Sequence, residues 1–202
     1  MPTSANFVLF IIIITLILIV SSIIIVFAIK FQRKQKARYN EIKKVIEKNK
    51  DAIFQVKDSL TPEEVNDIDK TIDVNLLMID LYNIYLKFQD KINSFDYDLD
   101  DVMTGNLKDF YINKIKSLKK NKCKYVREKI ELVGYSITEF SKEQLKFRIN
   151  INCFNYAMIN DKIVNGSNQV RVQQILLLSF QKIGDKWLIS NYEKVYEKKL
   201  SN

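Results

Sequence analysis

Histidine is absent from this 202-residue chain, glycine occurs only four times, and there are two cysteines. Without histidine the commonest general base is missing, and so is the imidazole on which most catalytic zinc sites and most Ser or Cys nucleophiles depend. That argues against most hydrolytic mechanisms. Gly105, Gly134, Gly166 and Gly184 lie too far apart to build a phosphate-cradling loop, so nucleotide binding of the Walker or Rossmann kind is excluded. Cys123 and Cys153 form no C-x-x-C pair and read as reduced thiols; a disulfide between them would need an oxidising compartment. No metal and no cofactor is expected.

What the chain does have begins with Phe7 to Ile29, an uncharged apolar run of 23 residues. At helical rise it covers about 34 Å against a hydrocarbon core of about 30 Å, which predicts a transmembrane helix after a short tail at 1–6. Lys30, Arg33, Lys34, Lys36 and Arg38 follow at once. By the positive-inside rule they place everything beyond Lys30 in the cytoplasm, with the N-terminus outside, and give the chain a basic patch for anionic headgroups. The excess of 32 basic over 24 acidic side chains, net +8, points the same way.

Residues 30–60 are charged and free of Pro and Gly, with Tyr39, Ile42, Ile46, Asn49, Ile53, Val56 and Leu60 at heptad spacing. This predicts a basic helical stalk that either packs on its own domain or pairs with a second copy. Thr61-Pro62-Glu63-Glu64 is a capping box, and the stripe Val65, Ile68, Ile72, Leu77, Leu81, Ile84, Phe88, Ile92 and Phe95 predicts a helix whose second half is core. Asp96, Asp98 and Asp100 imitate the start of a calcium loop, but Asp101 stands where a glycine is needed and Leu107 where a glutamate belongs. Turns and caps are the expected roles, with Gly105 closing a short helix.

Leu107, Phe110, Tyr111, Ile115 and Leu118 predict a further helix, leading into Lys114, Lys116, Lys119, Lys120, Lys122, Lys124, Arg127 and Lys129. That tract is a contact for lipid or for an acidic protein, or else a solvated basic face. Tyr125 is its one aromatic residue, too few for a single-strand stacking platform, so no nucleic acid is expected. The period then falls to two. Strands are predicted at Ile130 to Ile137, at Leu145 to Cys153 with a bulge just beyond, after a loop at 160–168, and from Trp187 to Val195 after a Gly184-Asp185 hairpin, with Trp187 in the core.

The fold class is therefore α+β: an N-terminal transmembrane helix, a stalk, then helices packed on a bent four-stranded antiparallel sheet spanning 61–197, with a tail at 198–202. This order is similar to the cone-like nuclear transport factor 2-like superfamily. Within it, Leu81 to Ile92, Leu107 to Tyr111 and Ile130-Glu131-Leu132, with Thr104, Leu107, Tyr111, Trp187, Leu188 and Ile189 at the family's motif positions, resemble the domain of translocase-of-the-inner-membrane subunit 44. The resemblance spans about residues 70 to 196. It implies an adaptor rather than a reaction: a domain that holds a translocation component, chaperone or ribosome at a membrane.

Two other functions compete. Conjugative or type IV secretion assembly factors combine one span with the same fold outside the cytoplasm. Enzymes of this fold use pocket carboxylates or tyrosines, and Tyr85, Tyr156 and Asp90 are the residues to examine for that role.

Overall fold

The computed structural model describes residues 4–48 and 59–200. The chain divides into two units, Met1–Glu41 and Ile42–Asn202, each described by itself. Helix α1 is Ser4–Lys48. Ile13, Ile17 and Val20 to Lys34 expose their side chains, and Ser21 turns its hydroxyl back onto the Ile17 carbonyl at 2.7 Å.

Among the described residues no helix is long and apolar enough to cross a membrane, which overturns the transmembrane part of the expected fold class. Of the expected stalk seam, Asn49, Ile53 and Val56 lie outside the described residues.

The rest is the expected α+β arrangement. Helix α2 is Pro62–Ile68, opened by the full capping box: Glu64 N donates to Thr61 Oγ1 at 3.2 Å and Thr61 N donates to a Glu64 carboxylate oxygen at 2.7 Å. The single long helix expected here is broken. Asp69 takes hydrogen bonds from the Thr71 amide and hydroxyl, and Asp73 caps a new helix, α3, Val74–Ser94. Side chains that satisfy the backbone locally offer it an alternative to continuing the helix.

After α3, three of the four aspartates gather round one amine and the fourth takes another. Lys91 Nζ lies 2.8 Å from Asp101, 3.8 Å from Asp96 and 3.9 Å from Asp98, and Asp100 pairs with Lys108 at 2.7 Å. No helix forms there. Gly105 opens helix α4, Gly105–Lys120, rather than closing one.

Strands β1 (Cys123–Phe140), β2 (Gln144–Ile159), β3 (Lys162–Ile183) and β4 (Lys186–Lys199) form an antiparallel meander in sequence order. The expected bulge beyond Cys153 is present as a register shift between Cys153 and Asn155. In β1 the register shifts at Glu128/Glu131, Leu132/Gly134 and Ile137/Glu139, each a place where a strand bends and twists. Helices α3 and α4 both touch β1 and β4, the two outer strands, so the sheet curls until its edges meet the same helical layer.

Two sequence expectations need correction in the sheet. The loop at 160–168 is a two-residue hairpin: Asn160 and Asp161 both take positive φ, 47° and 62°, and β3 starts at Lys162. Asn and Asp tolerate this left-handed conformation, which a tight hairpin demands. Trp187 is half-buried rather than core, its ring 6.5 Å from that of Phe140.

The core lies between helices and sheet. Leu81, Tyr85 and Phe88 of α3 face Phe147, Ile149 and Ile151 of β2 and Leu176, Leu178 and Phe180 of β3, all fully buried or nearly so. The outer edges are occupied locally: Leu60 N donates to Ile137 O at 2.8 Å, and on β4 Ile189 N donates to Val102 O at 2.9 Å while Thr104 N donates to Ile189 O at 3.0 Å.

Candidate functional site

The curled sheet brings Arg127 of β1 beneath α3. Asn93 grips its backbone from both sides, taking the Arg127 amide at 3.3 Å and donating to its carbonyl at 2.8 Å, as a neighbouring strand would. Gln89 and Tyr85 sit one helical turn apart on the buried face of α3. From β4 comes Tyr192. Arg127 Nη1 donates to Tyr192 Oη at 2.8 Å, Gln89 Oε1 at 3.0 Å and Tyr85 Oη at 3.3 Å.

None of the three acceptors is a carboxylate. Burial pushes the Tyr85 phenol well above its ordinary range, so it cannot supply a negative charge near neutrality. Burial opposes the guanidinium's charge, yet Arg127 stays protonated, with the hydrogen bond to Tyr192 favouring the charged form. Arg127 Nε is buried without a partner, and among the described residues no carboxylate pairs with this cation. Nearby, burial raises the Cys153 thiol above its ordinary value, with Arg127 working against that rise.

Beside the guanidinium is a cavity of about 250 Å³, lined by Phe88, Tyr111, Lys114, Tyr125 and Tyr192 among others, and by no acidic residue. Phe88 meets Tyr111 and Tyr192 edge to face, with ring centres 5.0 and 5.6 Å apart. Lys114 Nζ stands 5.3 Å from the Tyr111 ring centre and 5.7 Å from that of Tyr125. Desolvation, then the charge of Arg127, lowers the Lys114 pKa. Lys194 also lines the cavity, but it pairs with Glu197 at 3.3 Å. A larger hollow of about 460 Å³ near Glu139, Gln144 and Lys146 has its lysine neutralised by Glu139 at 2.7 Å, so it offers no uncompensated charge.

The structure thus splits the basic tract that the sequence presents as one. Arg127, part-buried, and Lys114, itself exposed, both line the cavity. Lys116, Lys119, Lys120 and Lys122 remain exposed, and Lys124 is half-buried. Lys129 lies 5.1 Å from the Phe154 ring centre and Lys119 5.6 Å from that of Tyr97. Lys116 and Lys120 stand one turn apart on a flank of α4, with no acidic partner among the described residues. Lys30, Arg33, Lys34 and Lys36 are exposed on α1 in the other unit; the side chain of Arg38 lies outside the described residues.

Of the residues to examine for catalysis, Tyr85 holds Arg127, Tyr156 is half-buried on β2, and Asp90 is exposed. Among the described residues no Asp or Glu is buried, and no group of His, Cys, Asp or Glu could hold a metal ion. Sequence reasoning missed Gln89, Asn93 and Tyr192 as partners of Arg127. The available signal was Tyr85, Gln89 and Asn93 at i, i+4, i+8, a polar stripe inside an otherwise apolar helix face.

No family model and no curated protein matches the chain. Among solved structures, the intermembrane space region of chloroplast protein ARC6 is similar at 12% identity, covering 55% of this chain and 91% of that one with a TM-score of 0.40. A SnoaL-like polyketide cyclase from Agrobacterium tumefaciens is similar at 20% identity, covering 57% of this chain and 89% of that one with a TM-score of 0.30. Overlaps this partial carry no argument about function, and the motif resemblance to the subunit 44 domain has no family model behind it.

Proposed function

We propose that the helix-and-sheet unit is a binding module, an adaptor that docks an acidic face of a protein partner against Lys116, Lys119, Lys120 and Lys122. The observation that carries this reading is the pairing pattern. Lys91, Lys108, Lys146, Arg171 and Lys194 each have a carboxylate within 4 Å, whereas these four exposed lysines have none among the described residues. Uncompensated charge clustered on one surface steers an oppositely charged partner and sets register more than it stabilises the fold. The absence of buried carboxylates among the described residues supports recognition over acid-base chemistry.

A photo-crosslinking residue at Ser117, flanked by Lys116 and Lys120, tests the reading in cells. The expected result is one defined protein adduct whose crosslinked peptide is rich in Asp and Glu. It should be lost in the Lys116→Glu, Lys120→Glu double variant and weakened by salt, because exposed charges are screened over about 8 to 10 Å at physiological ionic strength. An adduct that survives charge reversal, or none at all, overturns it.

A further inference from the structure

We infer that the cavity beside Arg127 binds an organic carboxylate carried on an aromatic or short aliphatic body, with Arg127 and Lys114 holding the carboxylate. This rests on the reading of the unit as a binding module and names what one of its sites takes. A guanidinium withdrawn from water needs a counter-charge as well as hydrogen bonds, and in this fold it has only hydrogen bonds. Its three bonds to oxygen all leave from Nη1, Nε is buried with no partner, and the Cys153 thiol is the guanidinium's remaining polar neighbour, so none of these contacts supplies a negative charge.

Lys114 also lines the cavity and supplies the second positive charge. The two cations repel each other, a cost that a bridging anion removes. Four rings, Phe88, Tyr111, Tyr125 and Tyr192, also line the cavity and give the ligand's body an apolar seat.

Size narrows the class. At about 250 Å³ the cavity exceeds the roughly 150 Å³ that accepts benzene and falls short of the roughly 300 Å³ where pockets for drug-sized molecules begin. One ring or one residue-sized side chain fits, with its carboxylate. The same chemistry is offered by a free small acid and by the C-terminal residue of a polypeptide.

Calorimetric titration and thermal melting of the full chain decide between these. The probes are 3-phenylpropionate, its amide, acetate, and the peptide acetyl-Ala-Ala-Phe as free acid and as amide. The expected result is binding and a raised melting temperature with phenylpropionate, with the peptide acid, or with both, and at least tenfold weaker binding of the matching amide. Binding of the small acid alone assigns a free metabolite, and binding of the peptide acid a chain end.

Lys114→Met should weaken the acid at least fivefold without changing the fold, and Lys186→Met should leave it unaltered. Arg127→Met should abolish it, read by circular dichroism first because Arg127 also ties three elements together. Amide binding as tight as acid, acetate binding as tight as phenylpropionate, or no binding by any probe overturns the inference. No partner protein enters these titrations, so their failure leaves the crosslinking result standing, and the reverse also holds.

Discussion

Arg127 does at one residue what several apolar contacts would do elsewhere: it joins α3, β1 and β4 through Gln89, Tyr85 and Tyr192. Hydrogen bonds to a charged group are worth about 1.5–3 kcal/mol, so Gln89→Leu, which keeps volume and removes an acceptor, should cost about 2 kcal/mol in urea unfolding. An unchanged midpoint would mean that water replaces the amide. Thiol labelling gives a second residue-scale test. Cys153 is fully buried with its thiol pKa raised, whereas Cys123 is half-buried. A disulfide-exchange reagent at pH 8 should modify Cys123 in the native chain and reach Cys153 only at the rate of unfolding.

At the scale of elements, two glycines predict opposite outcomes. A Cβ on Gly166, where φ is +75°, would stand 2.2 Å from the Asn155 carbonyl oxygen, a backbone atom that cannot swing aside. Gly166→Ala should therefore destabilise by more than about 2 kcal/mol, the sum of left-handed strain and displaced strand pairing. Gly105 has open space around it and begins α4, so Gly105→Ala should stabilise by about 0.5–1 kcal/mol; both are read from urea midpoints.

Element boundaries also show what sequence could and could not reveal. The Thr61 capping box, the alternation Leu145 to Cys153 and the Gly184-Asp185 hairpin are local signals, and the structure follows them. The break at Asp69 to Asp73 and the hairpin at Asn160-Asp161 are equally local, but in the sequence their side chains look like ordinary helix and loop residues. Arg127 was not legible as a cavity residue, because its partners lie 34 to 65 residues away and come together only when the sheet curls. The apolar run of α1 was the loudest signal, and among the described residues it does not amount to a spanning helix.

For the molecule as a whole, alkali should be the weak side. Burial pushes the Tyr135 phenol up to about 12 and holds those of Tyr85 and Tyr111 above their ordinary range. Between an unfolded pKa of about 10 and the raised folded values, the unfolded chain binds fewer protons than the folded one. Stability is then fully present below about pH 10 and drains away as pH rises through the folded values. Circular dichroism alongside tyrosinate absorbance should show ionisation and unfolding as one cooperative event, and Tyr135→Phe should soften the slope. Gradual ionisation of a still-folded chain would contradict this.

The sheet's outer margins have a consequence of their own. Leu60 and the Asn93 amide already sit against β1, the segment around Met103 sits against β4, and Lys198 and Lys199 crowd the latter's far end. At these points the outer backbone is already engaged, one of the ways natural sheets limit edge-to-edge pairing. Prising Leu60 away from Ile137 is therefore the lesion that would bare this part of β1 and make the sheet sticky.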